Sequence, residues 1–182
     1  MKGVVFTEFF SFVEDAHSPE YLQEVIDASA VPSRGVYAST GTYHACEMAA
    51  LVGALSHKTG ADAATLLRVF GEHLFARFLD GFPTLFDDFD NAFDFLAAIE
   101  SHIHSEVRKL YEDAELPSFD VAEHSPDRFR LIYTSSRHLG DFCEGLIRGC
   151  LSHFNEPASI RRRTIASTPN SVIEFTIEKA AQ

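Results

Sequence analysis

The spacing of apolar residues changes period once along this chain, and that change limits the folds open to it. Before Leu116-Pro117 the apolar side chains recur at helical spacing; beyond it they come to alternate. Val5, Phe6, Phe9, Phe10 and Val13 predict a helix over 2–16. Ser18-Pro19 supplies an N-cap and a first-turn proline for a second helix over 19–29, with Leu22, Val25 and Ile26 inward. Residues 30–42 contain Pro32, Gly35 and Gly41 and read as a loop or an ill-formed extended segment. A third helix is expected over 44–58, stopped by Gly60. A fourth starts near Asp62, carries Leu66, Leu67, Phe70, Leu74 and Phe78, and ends at Gly81 and Pro83. A short helical turn at 84–90 leads to a fifth helix over 91–104, striped by Phe95, Leu96, Ile99 and Ile103. Phe129, Leu131 and Tyr133 then alternate with Arg128, Arg130 and Ile132, and Ile173, Phe175 and Ile177 alternate with Glu174, Thr176 and Glu178. A helix over 138–154 separates these strands. A further strand is expected over 158–167, where Arg161-Arg162-Arg163 suits a blunted sheet edge. The pattern predicts an α+β fold, a helical N-terminal subdomain followed by a small antiparallel sheet with one inserted helix, forming a single domain over 1–182.

Composition removes several function classes. A formal charge of −12 opposes non-specific binding to nucleic acid, which needs a basic face. The first apolar stretch is broken by Glu8 and Glu14-Asp15, so no signal peptide is expected, and no apolar run is long enough for a membrane span. Cys46, Cys143 and Cys150 are an odd number without paired metal spacing, which fits a reducing cytoplasm. There is no phosphate-binding glycine loop, H-E-x-x-H or C-x-x-C, and no nucleophile–base arrangement.

Two polar clusters remain. His102 and His104 close the fifth helix, and a neutral imidazole is the commonest metal ligand. The two lie about 200° apart on a regular helix, so one site does not readily use both. Ile99 and Ile103 are closer in angle to His102, so periodicity favours His102. The second cluster is Tyr133-x-Ser135-x-Arg137, two hydroxyls and a guanidinium that share one face if the segment is a strand. Heme uses both kinds of cluster, one for its iron and one for its two propionates. Gly145 and Gly149, one helical turn apart, bare a face for something flat or for another helix.

These residues, in this order, resemble the heme nitric oxide/oxygen binding (H-NOX) family over nearly the whole chain. The resemblance runs through Met1-Lys2-Gly3, Thr42-Tyr43, the run from Leu51 to Gly60, Phe70-Gly71, the run from Ile103 to Tyr111, Ala114-Glu115-Leu116-Pro117, Tyr133-x-Ser135-x-Arg137 and Gly145-Leu146-Ile147-x-Gly149. It implies heme b held between the helical part and the sheet. The family's iron-binding histidine precedes a heme-packing proline by thirteen residues, which implies His104 as the axial ligand and Pro117 as the residue that bends the porphyrin. Tyr133, Ser135 and Arg137 would hold the propionates. Val5, Phe9, Leu74, Phe75, Phe78, Phe142 and Leu146 would line the pocket. The oxygen-binding branch has a tyrosine where this chain has Phe142, and the other distal positions, Phe9 and Leu74, are also apolar. The resemblance therefore implies a cytoplasmic, non-enzymatic sensor selective for nitric oxide, with CO as a surrogate ligand, acting through release of the proximal histidine and relaxation of the heme. Its partner would be a histidine kinase or a cyclic-di-GMP enzyme. Residues 154–182 contain neither Cys nor His, so the structural zinc of some relatives is not expected. A heme enzyme, peroxidase or nitric oxide-detoxifying, and a heme-free interaction module are the alternatives. Peroxidase chemistry wants a distal acid–base pair where this chain supplies Phe and Leu.

Overall fold

The computed structural model describes residues 1–179. Helices α1 (Gly3–Ala16), α2 (Pro19–Ser29), α3 (Ala45–Thr59) and α4 (Ala63–Gly81) form the first part. Local chemistry sets their ends. The Ser18 hydroxyl accepts from the Tyr21 N–H at 3.2 Å, the Asp62 carboxylate accepts from the Ala64 and Thr65 N–H groups at 2.9 and 3.3 Å, and Gly60 closes α3 at φ 74°. A 3-10 turn, Pro83–Leu85, leads to α5 (Ala92–Ala97), a π-helical segment Ile99–Ile103, and α6 (His104–Leu110). The expected fifth helix is thus broken in its middle and runs six residues further, from 104 to 110. Strands β1 (Ser118–His124) and β2 (Arg128–Ser135), helix α7 (Gly140–His153), and strands β3 (Ala158–Ala166) and β4 (Ser171–Lys179) complete the chain.

The sheet is antiparallel in the order β1-β2-β4-β3, which makes the α+β expectation correct. Strand β1 was not expected from the sequence. It is an edge strand exposed on both faces, so it carries little alternation. On the inner face Phe129, Leu131, Tyr133, Ile173, Phe175 and Ile177 are buried. The arginine run of edge strand β3 is paired residue by residue: Arg161 to Glu178, Arg162 to Asp141, and Arg163 to Glu174.

Two apolar cores result. One lies among α1–α4 and contains Phe6, Phe9, Phe70 and Leu74; the other lies between the sheet, α5, α7 and the end of α4 and contains Phe75, Phe93, Phe95 and Phe129. Helices α4 and α7 tie them together by backbone-to-backbone contact. A Cβ on Gly145 would lie 2.1 Å from the Arg68 carbonyl oxygen, and one on Gly71 would lie 2.4 Å from that of Phe142. The bare face of α7 therefore receives another helix. Phe78 and Leu146 touch both cores and mark the seam.

Candidate functional site

His104 owes its position to the π-segment. The His104 N–H donates to Ile99 O and the Ile103 N–H to Ala98 O at 3.4 Å, each reaching five residues back. Such a turn adds one residue relative to an α-helix. Without it His104 lies about 80° from Leu96 around the axis; with it, about 20°. The insertion thus brings His104 toward the buried face of Leu96, and a regular wheel misplaces it. His104 is 8 % exposed, and its ring stands 5.5 Å from Phe119 of β1. His102 instead faces the loop before α5, its ring 5.8 Å from Phe89.

The His104 ring is held at one nitrogen. Its Nδ1–H donates to Glu100 Oε2 at 3.0 Å, while Arg108 Nη2 donates to Glu100 Oε1 at 2.8 Å. Nε2 has no hydrogen-bond partner among the described residues. Burial lowers the His104 pKa and outweighs the opposing pull of Glu100, so the imidazole is neutral at pH 7. Burial alone would raise the Glu100 carboxyl, but bonds from Arg108 and His104 prevail and hold it below the usual carboxylate range.

Phe119 links this ring to the second cluster, standing 5.5 Å from Tyr133 as well. Tyr133 and Ser135 occupy the buried face of β2. Arg137 lies beyond the strand, in the turn that follows, so the three do not share one strand face as the alternation suggested. The Ser135 hydroxyl bends the chain there, accepting from the Arg137 N–H at 3.1 Å. Burial pushes the Tyr133 phenol up to about 12. Arg137 donates from Nη1 to the Glu115 carbonyl at 2.6 Å and from Nη2 to the Glu115 carboxylate at 3.0 Å. A cavity of about 240 Å³ opens between Pro117, Ser135, Arg137 and Asn170. A second, larger hollow of about 650 Å³, lined by Glu72, Arg148 and the start of β3, lies away from all of these groups.

The apolar candidates divide. Phe9 stands 5.2 Å from Phe70, and Phe70 5.3 Å from Phe142, with Leu74 buried among the same residues and Val5 packed against them. Phe78 and Leu146 lie at the seam. Phe75 turns the other way, into the sheet-side core, with its ring 5.4 Å from Phe86 and 5.9 Å from Phe95 and its Cβ over Gly149. It backs the helix pair rather than joining Phe9 and Phe142.

Heme asks for a neutral imidazole with one free nitrogen, for cations and hydroxyls at two carboxylates, and for apolar walls, and the residues present fit. The Glu115 carboxylate already on Arg137 is no obstacle, since its side chain is 84 % exposed and such pairs are weak. The family model described as Haem-NO-binding matches residues 2–162.

The chain belongs to the H-NOX family.

The Fe(II) unliganded H-NOX protein of K. algicida is 40 % identical, with 100 % of this chain and 98 % of that one covered and a TM-score of 0.92. The IWP-051-bound H-NOX of Shewanella woodyi in the Fe(II)CO state is 36 % identical over 99 % and 95 % of the two chains, with a TM-score of 0.83. The S. oneidensis H-NOX protein in the Fe(II)NO state is 26 % identical over 100 % of each, with a TM-score of 0.90. No curated protein matches the chain. H-NOX domains are heme-binding sensors of gases such as NO and CO rather than enzymes, and this domain is one of them.

Sequence reasoning missed Glu100, Arg108, Phe119 and Glu115. The spacing Glu100–His104–Arg108, every fourth residue, was a readable signal for the first two. Phe119 needed β1, and the Glu115 contact needed the tertiary fold.

Proposed function

We propose that this H-NOX domain is a ferrous heme b sensor selective for nitric oxide, working over 1–182 as one cytoplasmic domain. His104 is its axial ligand through Nε2. Tyr133, Ser135 and Arg137 would hold the propionates, and Pro117 would pack against the ring. When bound, the heme would supply a ferrous iron for NO. Weakening of the His104 contact by NO would free α6 to shift against the sheet and would cost Pro117 its leverage. A partner that distinguishes the two arrangements reads the change; the family resemblance favours a histidine kinase or a cyclic-di-GMP enzyme. Among the described residues no helix is long and apolar enough to cross a membrane.

The observation that carries the selectivity is the character of Phe9, Leu74, Phe142 and Leu146, side chains without a hydrogen-bond donor. Bound O2 draws negative charge onto its outer oxygen, and a donor to it is worth about 1.5–3 kcal/mol by analogy with bonds to charged groups. At 1.4 kcal/mol per tenfold, its lack lowers O2 affinity roughly ten- to a hundredfold. NO and CO develop less charge and lose less. The reduced protein exposed to air should therefore show no persistent ferrous–oxy spectrum while forming NO and CO complexes. A stable oxy spectrum would overturn this reading. His73, beside Leu74 with its ring 5.4 Å from Phe12 and its Nε2 buried without a hydrogen-bond partner among the described residues, would then be the first residue to replace.

A further inference from the structure

We infer that Glu100 and Arg108 act in opposite directions on the strength with which His104 holds the iron, and so set how readily NO parts the two. The inference rests on His104 as the axial ligand and concerns residues that would act on the iron through His104.

The geometry is a three-member stripe across the π-segment. Glu100 Oε2 takes the Nδ1–H of His104 at 3.0 Å, and Glu100 Oε1 takes an N–H of Arg108 at 2.8 Å. A carboxylate on the far nitrogen of a ligating imidazole fixes the ring and its tautomer and makes the ligating nitrogen more basic. Glu100 therefore strengthens the bond to iron. Arg108 draws charge from that carboxylate through its other oxygen and weakens its effect on His104. The His104 side chain is 10 % exposed, so its bond to Glu100 is sheltered at one end. Glu100 and Arg108 are 37 % and 48 % exposed, so screening reduces the second effect more than the first.

A purely structural role is distinguishable. Either substitution would then disturb the π-segment and loosen His104, moving both variants the same way. Tuning through the carboxylate gives opposite signs.

The test is the iron–histidine stretching frequency of the reduced, unliganded holoprotein, read by resonance Raman in wild type, Glu100→Gln and Arg108→Ala. Glu100→Gln should shift the band to lower frequency and Arg108→Ala to higher. Release of His104 after NO addition, followed in the visible spectrum, should be faster in Glu100→Gln by roughly tenfold, the lower end of what such supporting residues contribute. It should be slower in Arg108→Ala. Unchanged bands in both variants, or shifts of one sign, overturn the inference while leaving the sensor reading intact. A wild-type band that survives in His104→Gly without added imidazole overturns the axial assignment, and this inference with it.

Discussion

The two sides of the seam are built on different principles. On the helical side, Phe9, Leu74, Phe142 and Leu146 belong to an apolar group anchored by close contact of α4 with α7. On the sheet side, two of the polar groups proposed to meet a heme are fixed by neighbours, His104 by Glu100, and Arg137 by the Ser135 turn and Glu115. In the proposed sensor, grip would rest on one wall and omission on the other, so that retention of the cofactor and discrimination among gases would fall on separate elements. Substitutions on the sheet side should change how heme is held, whereas those on the helical side should change which gas stays.

The largest effect expected on the holding side is at the ligand itself. His104→Gly should lose stable heme, by more than the roughly 10–100-fold that a supporting residue costs, and added imidazole should restore it. His102→Ala, whose ring faces Phe89, should retain the wild-type ferrous spectrum. The reverse pattern would show that the π-segment does not place His104 at the iron. Next in size is the propionate clamp. Arg137→Ala removes a charge-assisted contact worth about 1.5–3 kcal/mol, so heme loss to an apo-globin scavenger should quicken roughly ten- to a hundredfold. Ser135→Ala removes about 1 kcal/mol and should quicken it only a few-fold. Equal rates in both variants and wild type would mean that retention is not concentrated on this wall.

Most of the architecture was legible because burial imposes a period. Helices α1–α4, strands β2 and β4, and helix α7 each bury one face, and their apolar residues recur accordingly. What stayed hidden has three physical causes. The edge strand β1 buries almost nothing, so Phe119, the ring between His104 and Tyr133, had no pattern around it. The π-segment leaves composition unchanged while rotating everything after it, which is why the wheel favours His102 and only the family resemblance, through its histidine-to-proline spacing, implies His104. The third cause is pairing between elements. Gly145 and Gly149 announced a close neighbour without naming it, and adjacent Leu74 and Phe75 separate into different cores because successive residues on a helix point about 100° apart.

The smallest effect should come from the phenol of Tyr133, and it sharpens the same comparison. Tyr133→Phe leaves the ring packed near Phe119 and Phe175. At neutral pH it should cost about 0.5 kcal/mol of heme retention, the low end for one hydrogen bond. The hydroxyl reveals itself at alkaline pH. In the folded chain Tyr133 ionises near about 12, because burial disfavours the phenolate; in the unfolded chain a tyrosine ionises near about 10. A folded pKa above the unfolded one gives stability that is complete below about 10 and is lost as pH rises through about 12. Tyr37, also near about 12 in the helical part, contributes to the same fall. Thermal melts across this window should therefore decline with pH in wild type and decline less in Tyr133→Phe, the residual slope belonging to groups such as Tyr37. Identical alkaline slopes would mean that the phenol reaches water, and that the polar wall is less sealed than its 3 % exposure of Tyr133 implies.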